Sequence, residues 1–354
     1  MIQVQQGLPQ ASSEEPVSFD TLPVLEPDEK TPVAFLPLLQ PLLASAQQRL
    51  RVGLDELTRH ERHLPFEAQP VLTSLAAALA RRLLSQASRT FALELKVAGL
   101  LGQLSGQTSQ ERFQHFLQRI SQKEARLAFF EEYSVLARQL VLTCDHWVAS
   151  SLEVVRRLCA DWDEICATFS PEGDPGMLTG VQSGMGDLHR EGRSVMLLKF
   201  RSGFQLIYKP KSLAIDLHFQ ELLQWLNQHG AEPPLQTLNV INKGAYGWSA
   251  YVQARDCASQ AEVQRFYERQ GAYLALLYVL DATDFHHENL IAAGEHPILI
   301  DLETLFHPRI AWEDAVFADA PAQEALAHSV YRIGGCCHSG SGAAMKPKGS
   351  TSVA

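Results

Sequence analysis

The chain lacks long apolar runs. Its longest, Ala272 to Leu280, is nine residues, whereas a helix needs about 20 to cross a bilayer. The N-terminus, MIQVQQGLPQASSEEP, has neither a basic start nor an apolar stretch, so no secretory signal is expected in it. Cysteine is sparse: Cys144, Cys159, Cys166, Cys257, Cys336 and Cys337, with no CxxC pair. Six cysteines in 354 residues are not a disulfide framework, so a reduced, cytoplasmic protein is expected. Cys336-Cys337-His338 offers too few ligands for zinc at no standard spacing. Basic charge is in deficit, with 30 Lys plus Arg against 40 Asp plus Glu and a net charge of -10. That argues against nucleic acid as a partner, although a local basic cleft can still hold phosphate.

What is present is enough apolar material for a sizeable core, 46% hydrophobic against 20% charged residues. The length suits two or three domains. Residues 1–35 are rich in Glu, Asp, Pro, Ser and Gln and read as a mobile leader. Residues 36–169 read as helical. Val71 to Leu84 is alanine-rich and apolar. Thr108 and Glu111 have capping-box spacing, and Phe113, Phe116, Leu117 and Ile120 behind them share one helix face.

Ser170-Pro-Glu-Gly-Asp-Pro-Gly176 ends the helical pattern. Residues 170–320 then read as α+β, and residues 321–354 as a low-complexity tail. Two strand-like runs flank Arg201-Ser202-Gly203, a three-residue hairpin loop with Gly where a left-handed residue is needed. That pairing sets Lys209 opposite Val195. Helices are expected over about Asp216 to Gln228 and from a second capping box, Ser259 to Glu262, to about Leu280.

The polar stretch Asp281-ATDFHHEN-Leu290 leads into two short apolar strands around Gly294-Glu295-His296. If Ala293 pairs with Pro297 across a three-residue loop, Asn289 faces Asp301. An amide oxygen and a carboxylate so opposed can share Mg²⁺, a hard ion that prefers oxygen ligands. Asp284, then Asn289 five residues on, a strand, and Asp301 is the order of kinase catalytic and metal-binding loops. A polar loop between core strands is the plain alternative. Lys209, at the end of an apolar run, is a candidate for holding nucleotide phosphates; otherwise its stem covers the sheet and its amine reaches water. Gly186, Asp187, His189 and Arg193 lie in a glycine-containing loop that could approach phosphate or stay an ordinary surface loop. Asp284, His286, His287 and Glu288 with Asp301 also permit a transition-metal hydrolase. Of the two histidines, His286 is favoured because it stands nearer Asp284.

GDLHREGRSVMLLKF, LIYKPKSL, YGWSAYV and RFYERQGAYLALLYVLDATDFHHENLIAAGEHPILIDLETLFHP, with EYSVLARQLV and RLCADWDEI upstream, resemble the dehydratase domain of class II lanthipeptide synthetases, the LanM family. The resemblance runs from about Leu84 to Pro308. It implies a lipid-kinase-like α+β segment after an N-terminal helical region. It also implies a dehydratase that uses ATP and Mg²⁺ to phosphorylate Ser and Thr of a ribosomal precursor peptide, then eliminates phosphate to leave dehydroalanine or dehydrobutyrine. By motif, Lys209 would bind ATP phosphate, and Asp284 would be the catalytic acid residue with His286 beside it. Asn289 and Asp301 would bind Mg²⁺, with Glu303 close by, and Asp187 and His189 match positions tied to phosphorylation. The tail from Gly334 departs from the family pattern. A dehydratase incomplete at its C-terminus is therefore expected, without its elimination residues or the zinc-dependent cyclase. A non-catalytic remnant or peptide-binding fragment is the alternative to an active phosphotransferase.

Overall fold

Helices dominate the first half of the chain because its apolar residues recur every three or four positions. The computed structural model describes residues 33–60, 65–185, 192–306, 325 and 328–334. It divides into two compact units, Met1–Pro210 and Lys211–Ala354.

In the first unit, a short 3-10 turn at Val33–Phe35 precedes α1 (Leu36–His60), α2 (Ala68–Leu100), α3 (Ser109–Ser121), α4 (Lys123–Glu132) and α5 (Ser134–Phe169). Along α2, Val71, Leu72, Leu75, Ala76, Leu79, Ala80, Leu83 and Leu84 are all buried. They form a stripe wide enough to serve two neighbours. Each buried leucine contributes about 1.5–3 kcal/mol. Trp147 of α5 donates its indole N–H to the Leu75 carbonyl at 3.2 Å, and Phe91 stacks on Phe129 with ring centres 5.1 Å apart. The expected capping box opens α3. The Thr108 hydroxyl accepts the Glu111 N–H at 3.1 Å, and the Glu111 carboxylate accepts the Thr108 N–H at 3.1 Å. Of its four apolar residues, Phe116 and Ile120 are buried while Phe113 and Leu117 are half-buried.

The unit ends in an antiparallel meander of β1 (Leu178–Ser183), β2 (Met196–Phe200) and β3 (Gln205–Lys209). The expected loop joins β2 to β3: Lys199 pairs with Gln205, and Gly203 has φ 89°. Continuing that register puts Lys209 level with Val195.

The second unit holds α6 (Ala214–Gln228), the hairpin β4 (Val240–Asn242) with β5 (Gly247–Ala250), α7 (Gln260–Val279), and the hairpin β6 (Leu290–Ala293) with β7 (His296–Leu299). Ser259 caps α7 by accepting the Glu262 N–H at 3.2 Å. The Glu262 carboxylate returns the bond to Ala258 rather than to Ser259, at 2.7 Å. Phe219, Leu223, Tyr273, Leu277, Leu299 and Leu305 form the core of this unit. The whole is α+β: helices with antiparallel strands. No helix among the described residues is long and apolar enough to cross a membrane.

Candidate functional site

The loop after α7 is polar in sequence yet anchored in the core. Ala282 and Phe285 are buried and Asp284 is exposed. Phe285 also donates its N–H to the Ile333 carbonyl at 2.7 Å. With the apolar residues turned inward, Asp284 and His286 are left on the outer side. Asp284 takes φ 60°, a left-handed conformation that Asp tolerates better than most residues. Its carbonyl accepts the Asn289 side-chain amide at 2.9 Å. The Asn289 N–H bonds to the His286 carbonyl at 3.0 Å, which closes the turn.

His286 is the histidine beside Asp284. Its Nε2 lies 3.8 Å from the Asp284 carboxylate, whereas His287 faces Glu288 at 3.9 Å. The Glu288 N–H donates to Nδ1 of His286 at 3.2 Å. In the neutral ring the proton therefore sits on Nε2, the nitrogen that faces Asp284.

The register of β6 and β7 corrects the expected pairing. Ala293 pairs with His296 and Leu290 with Leu299, so the turn has two residues, Gly294 and Glu295. Gly294 has φ 64° and Glu295 does not share the positive sign, the pattern of a tight hairpin turn with Gly first. The ladder continues one step, with the Ile300 N–H on the Asn289 carbonyl at 3.1 Å. Asn289 thus faces Ile300, and Asp301 lies one residue beyond. The loop and the returning chain are stitched together nearby. The Thr283 N–H donates to the Thr304 carbonyl at 3.3 Å, and the Thr304 hydroxyl donates back to the Thr283 carbonyl.

The hairpin is fixed to α7 by a buried arginine. Arg269, 4% exposed, donates Nε to the Pro234 carbonyl at 2.9 Å. It donates Nη1 to the Glu295 carbonyl at 2.9 Å and to its carboxylate at 3.1 Å. Arg265 also binds that carboxylate. Hydrogen bonds from Arg265 and then Arg269 hold the Glu295 carboxyl down at about 2.

Asp301 and Glu303 converge on a lysine that the sequence pattern did not single out. Lys211 Nζ lies 3.0 Å from Asp301 Oδ1 and 2.6 Å from Glu303 Oε2. Burial works against the Lys211 charge, but the hydrogen bond that Lys211 donates to Glu303 and the nearby Asp301 carboxylate outweigh it and raise its pKa above the ordinary lysine value. The segment carrying Lys211 is hooked in place by the Leu213 N–H on Asn242 Oδ1 at 3.1 Å. The signal was the second lysine of Lys209-Pro-Lys211, but a strand pattern cannot say which amine reaches the acids.

Other candidates belong to the first unit or to residues outside those described. Lys209 closes β3 in the first unit, with its side chain buried. Arg193, also in the first unit, is paired with Glu153 of α5 at 2.8 Å. Gly186, Asp187 and His189 lie outside the described residues. Among the described residues no three His, Cys, Asp or Glu side chains gather as a metal cluster.

Comparison with known proteins bears on the same stretch. The lacticin 481/lactococcin biosynthesis protein LcnDR2 of Lactococcus lactis subsp. lactis is 28% identical over 214 residues, 58% of this chain. The chain spans 23% of that protein's length. A family described as a domain of unknown function, DUF4135, matches residues 133–336, which include the Asp284 loop, both hairpins of the second unit and Lys211. Both findings support the resemblance to class II lanthipeptide synthetases, and with more than half of its length matched the chain belongs to the DUF4135 family.

Proposed function

We infer that the chain carries an ATP-dependent phosphoryl-transfer site acting on Ser or Thr of a ribosomal precursor peptide, the first half of a lanthipeptide dehydration. The observation that carries this reading is the closed loop in which Asn289 is tied to Asp284, next to the convergent carboxylates of Asp301 and Glu303. Kinase loops need those groups in that order. The LcnDR2 protein, named for lacticin 481 biosynthesis, supports a role in lantibiotic production.

The donor set fits Mg²⁺. It offers two carboxylates aimed at one positive charge; Asn289, which the register sets opposite Ile300, joins them on the family resemblance alone. Mg²⁺ keeps several waters and asks for only one or two carboxylates. Asn289, Asp301 and Glu303 would hold it, and the ion would neutralise phosphate charge. Asp284, exposed at the loop apex, accepts the proton of the peptide hydroxyl as that oxygen bonds to the γ-phosphorus and the bond to the ADP leaving oxygen breaks. His286 stands beside the Asp284 carboxylate, with Nε2 at 3.8 Å. Lys209 would hold nucleotide phosphate, with Gly186, Asp187, His189 and Arg193 as the accompanying phosphate loop. Elimination to dehydroalanine or dehydrobutyrine would follow.

The test is mass spectrometry of precursor peptide incubated with the protein, ATP and Mg²⁺. The expected product is heavier by one phosphate, and Asp284→Asn removes it. Modification without ATP, or undiminished modification by Asp284→Asn, rejects the reading.

A further inference from the structure

We propose that Lys211 is a resident counter-ion that occupies the divalent cation's place between Asp301 and Glu303 and is displaced when that cation binds. This rests on the phosphoryl-transfer reading, in which those carboxylates are metal ligands, and it adds a competitor built into the same chain.

The geometry is that of a surrogate cation. One ammonium is 3.0 Å from Asp301 and 2.6 Å from Glu303, so two carboxylates two residues apart in sequence are drawn to one point. Mg²⁺ binds oxygen at about 2.0–2.1 Å. Each carboxylate oxygen therefore has to close by only about half to one ångström to exchange the ammonium for the metal. Two neighbouring carboxylates with no positive charge between them repel one another. Lys211 relieves that repulsion and keeps both side chains aimed inward.

The direction of approach also suits an exchange. The Lys211 side chain is 23% exposed, against 39% for Asp301 and 54% for Glu303. The ammonium comes from the protein side while the acids remain open to solvent. An ion arriving from solvent meets the carboxylates first and competes for the oxygens that Lys211 holds. A long flexible stem lets the ammonium withdraw while its anchor, the Leu213 to Asn242 bond, stays in place.

The experiment measures Mn²⁺ affinity by electron paramagnetic resonance at low ionic strength, in the whole chain and in Lys211→Met. Removing the competitor should tighten binding by about tenfold or more, while Lys211→Arg stays at or below the wild-type affinity. Equal or weaker binding in a folded Lys211→Met protein overturns the proposal. A second measurement needs no variant: acetylation of Lys211, followed by peptide mass spectrometry with and without Mg²⁺. Displacement should raise its labelling several-fold, and unchanged labelling overturns the proposal. Asp301→Asn separates the two levels of the argument. If Mn²⁺ binding survives that change undiminished, or wild type and Lys211→Met both fail to bind, the metal-site reading itself falls and takes this proposal with it.

Discussion

Asn289 donates its side-chain amide to the main-chain carbonyl of Asp284 at 2.9 Å, so the residue that ends the loop fixes the backbone at its apex. The bond also leaves the Asn289 amide oxygen as the atom available for a cation. On the proposed reading Asn289 therefore has two separable duties, one in the loop and one at the cation. Asn289→Ala removes both and should cost about 1 kcal/mol of stability for the lost hydrogen bond. It should also lower ATP-dependent peptide modification roughly 100-fold. Asn289→Asp loses the donor but keeps an oxygen ligand, so it should retain more activity than Asn289→Ala at similar stability. Thermal melts beside a mass-based activity assay check this. Full activity in Asn289→Ala would remove the residue from the site.

Asp284 sits at φ 60°, which separates its backbone role from its chemistry. Gly adopts that conformation without strain, Asn nearly so, and Ala at a cost of about 1–2 kcal/mol. Asp284→Gly and Asp284→Asn should therefore melt near the wild type, whereas Asp284→Ala should melt lower. All three lose the carboxylate and should modify peptide about 100- to 10,000-fold more slowly. Ranking the three by melting temperature checks the backbone argument independently of any activity. Equal melting of Asp284→Ala and Asp284→Gly would contradict it.

The hairpin of β2 and β3 was legible because Gly203 supplies the left-handed residue of a three-residue loop between two apolar runs. The second hairpin departs from the expected register by one residue for a related reason. Gly294 opens a two-residue turn, so His296 belongs to β7 and pairs with Ala293. A shift of one residue changes every cross-strand partner, and Asn289 came to face Ile300 instead of Asp301. Strand β1 was missed because Leu178-Thr-Gly-Val-Gln-Ser lacks a clear apolar alternation. Its pairing with β2 and the bond from Val181 N–H to the Ser74 hydroxyl, at 3.0 Å, hold it instead. The Asp284, Asn289 and Asp301 spacing was visible in the sequence. The Lys211 clasp was not, because it joins residues 90 and 92 positions apart.

The contacts of Arg265 and then Arg269 with Glu295 predict how the hairpin responds to acid. Glu295 titrates at about 2 when folded, below its ordinary 4.5. A carboxyl lowered in this way favours the folded state fully above about 4.5, and that contribution is lost as pH falls toward 2. Glu295→Gln should flatten the melting temperature between those values relative to wild type. Arg269→Ala should be more damaging at neutral pH, by about 3 kcal/mol or more, because it strips hydrogen bonds from two carbonyls as well as an ion pair. Melts across pH 2–7 check both. A wild-type curve no steeper than that of Glu295→Gln would contradict the assignment.

Gly294 connects the turn to the site, because the two-residue turn sets which residues reach the end of the ladder. Its φ of 64° disfavours any side chain, and a Cβ there would lie 2.7 Å from Nη2 of Arg255. The Arg255 carbonyl accepts the Gly294 N–H at 2.8 Å, and the Arg255 N–H bonds to the Ala292 carbonyl at 2.9 Å. The guanidinium can swing away, but the backbone it hangs from is bound to the turn. Gly294→Ala should therefore cost about 1–2 kcal/mol from the left-handed conformation, with a further loss if Arg255 cannot move. Arg255→Ala in the same chain removes the clash and should recover only the second part. A double-mutant comparison of unfolding free energies checks this. Gly294→Ala with unchanged stability would show that the chain does not use the two-residue turn, and the placement of Asn289 opposite Ile300 would fall with it.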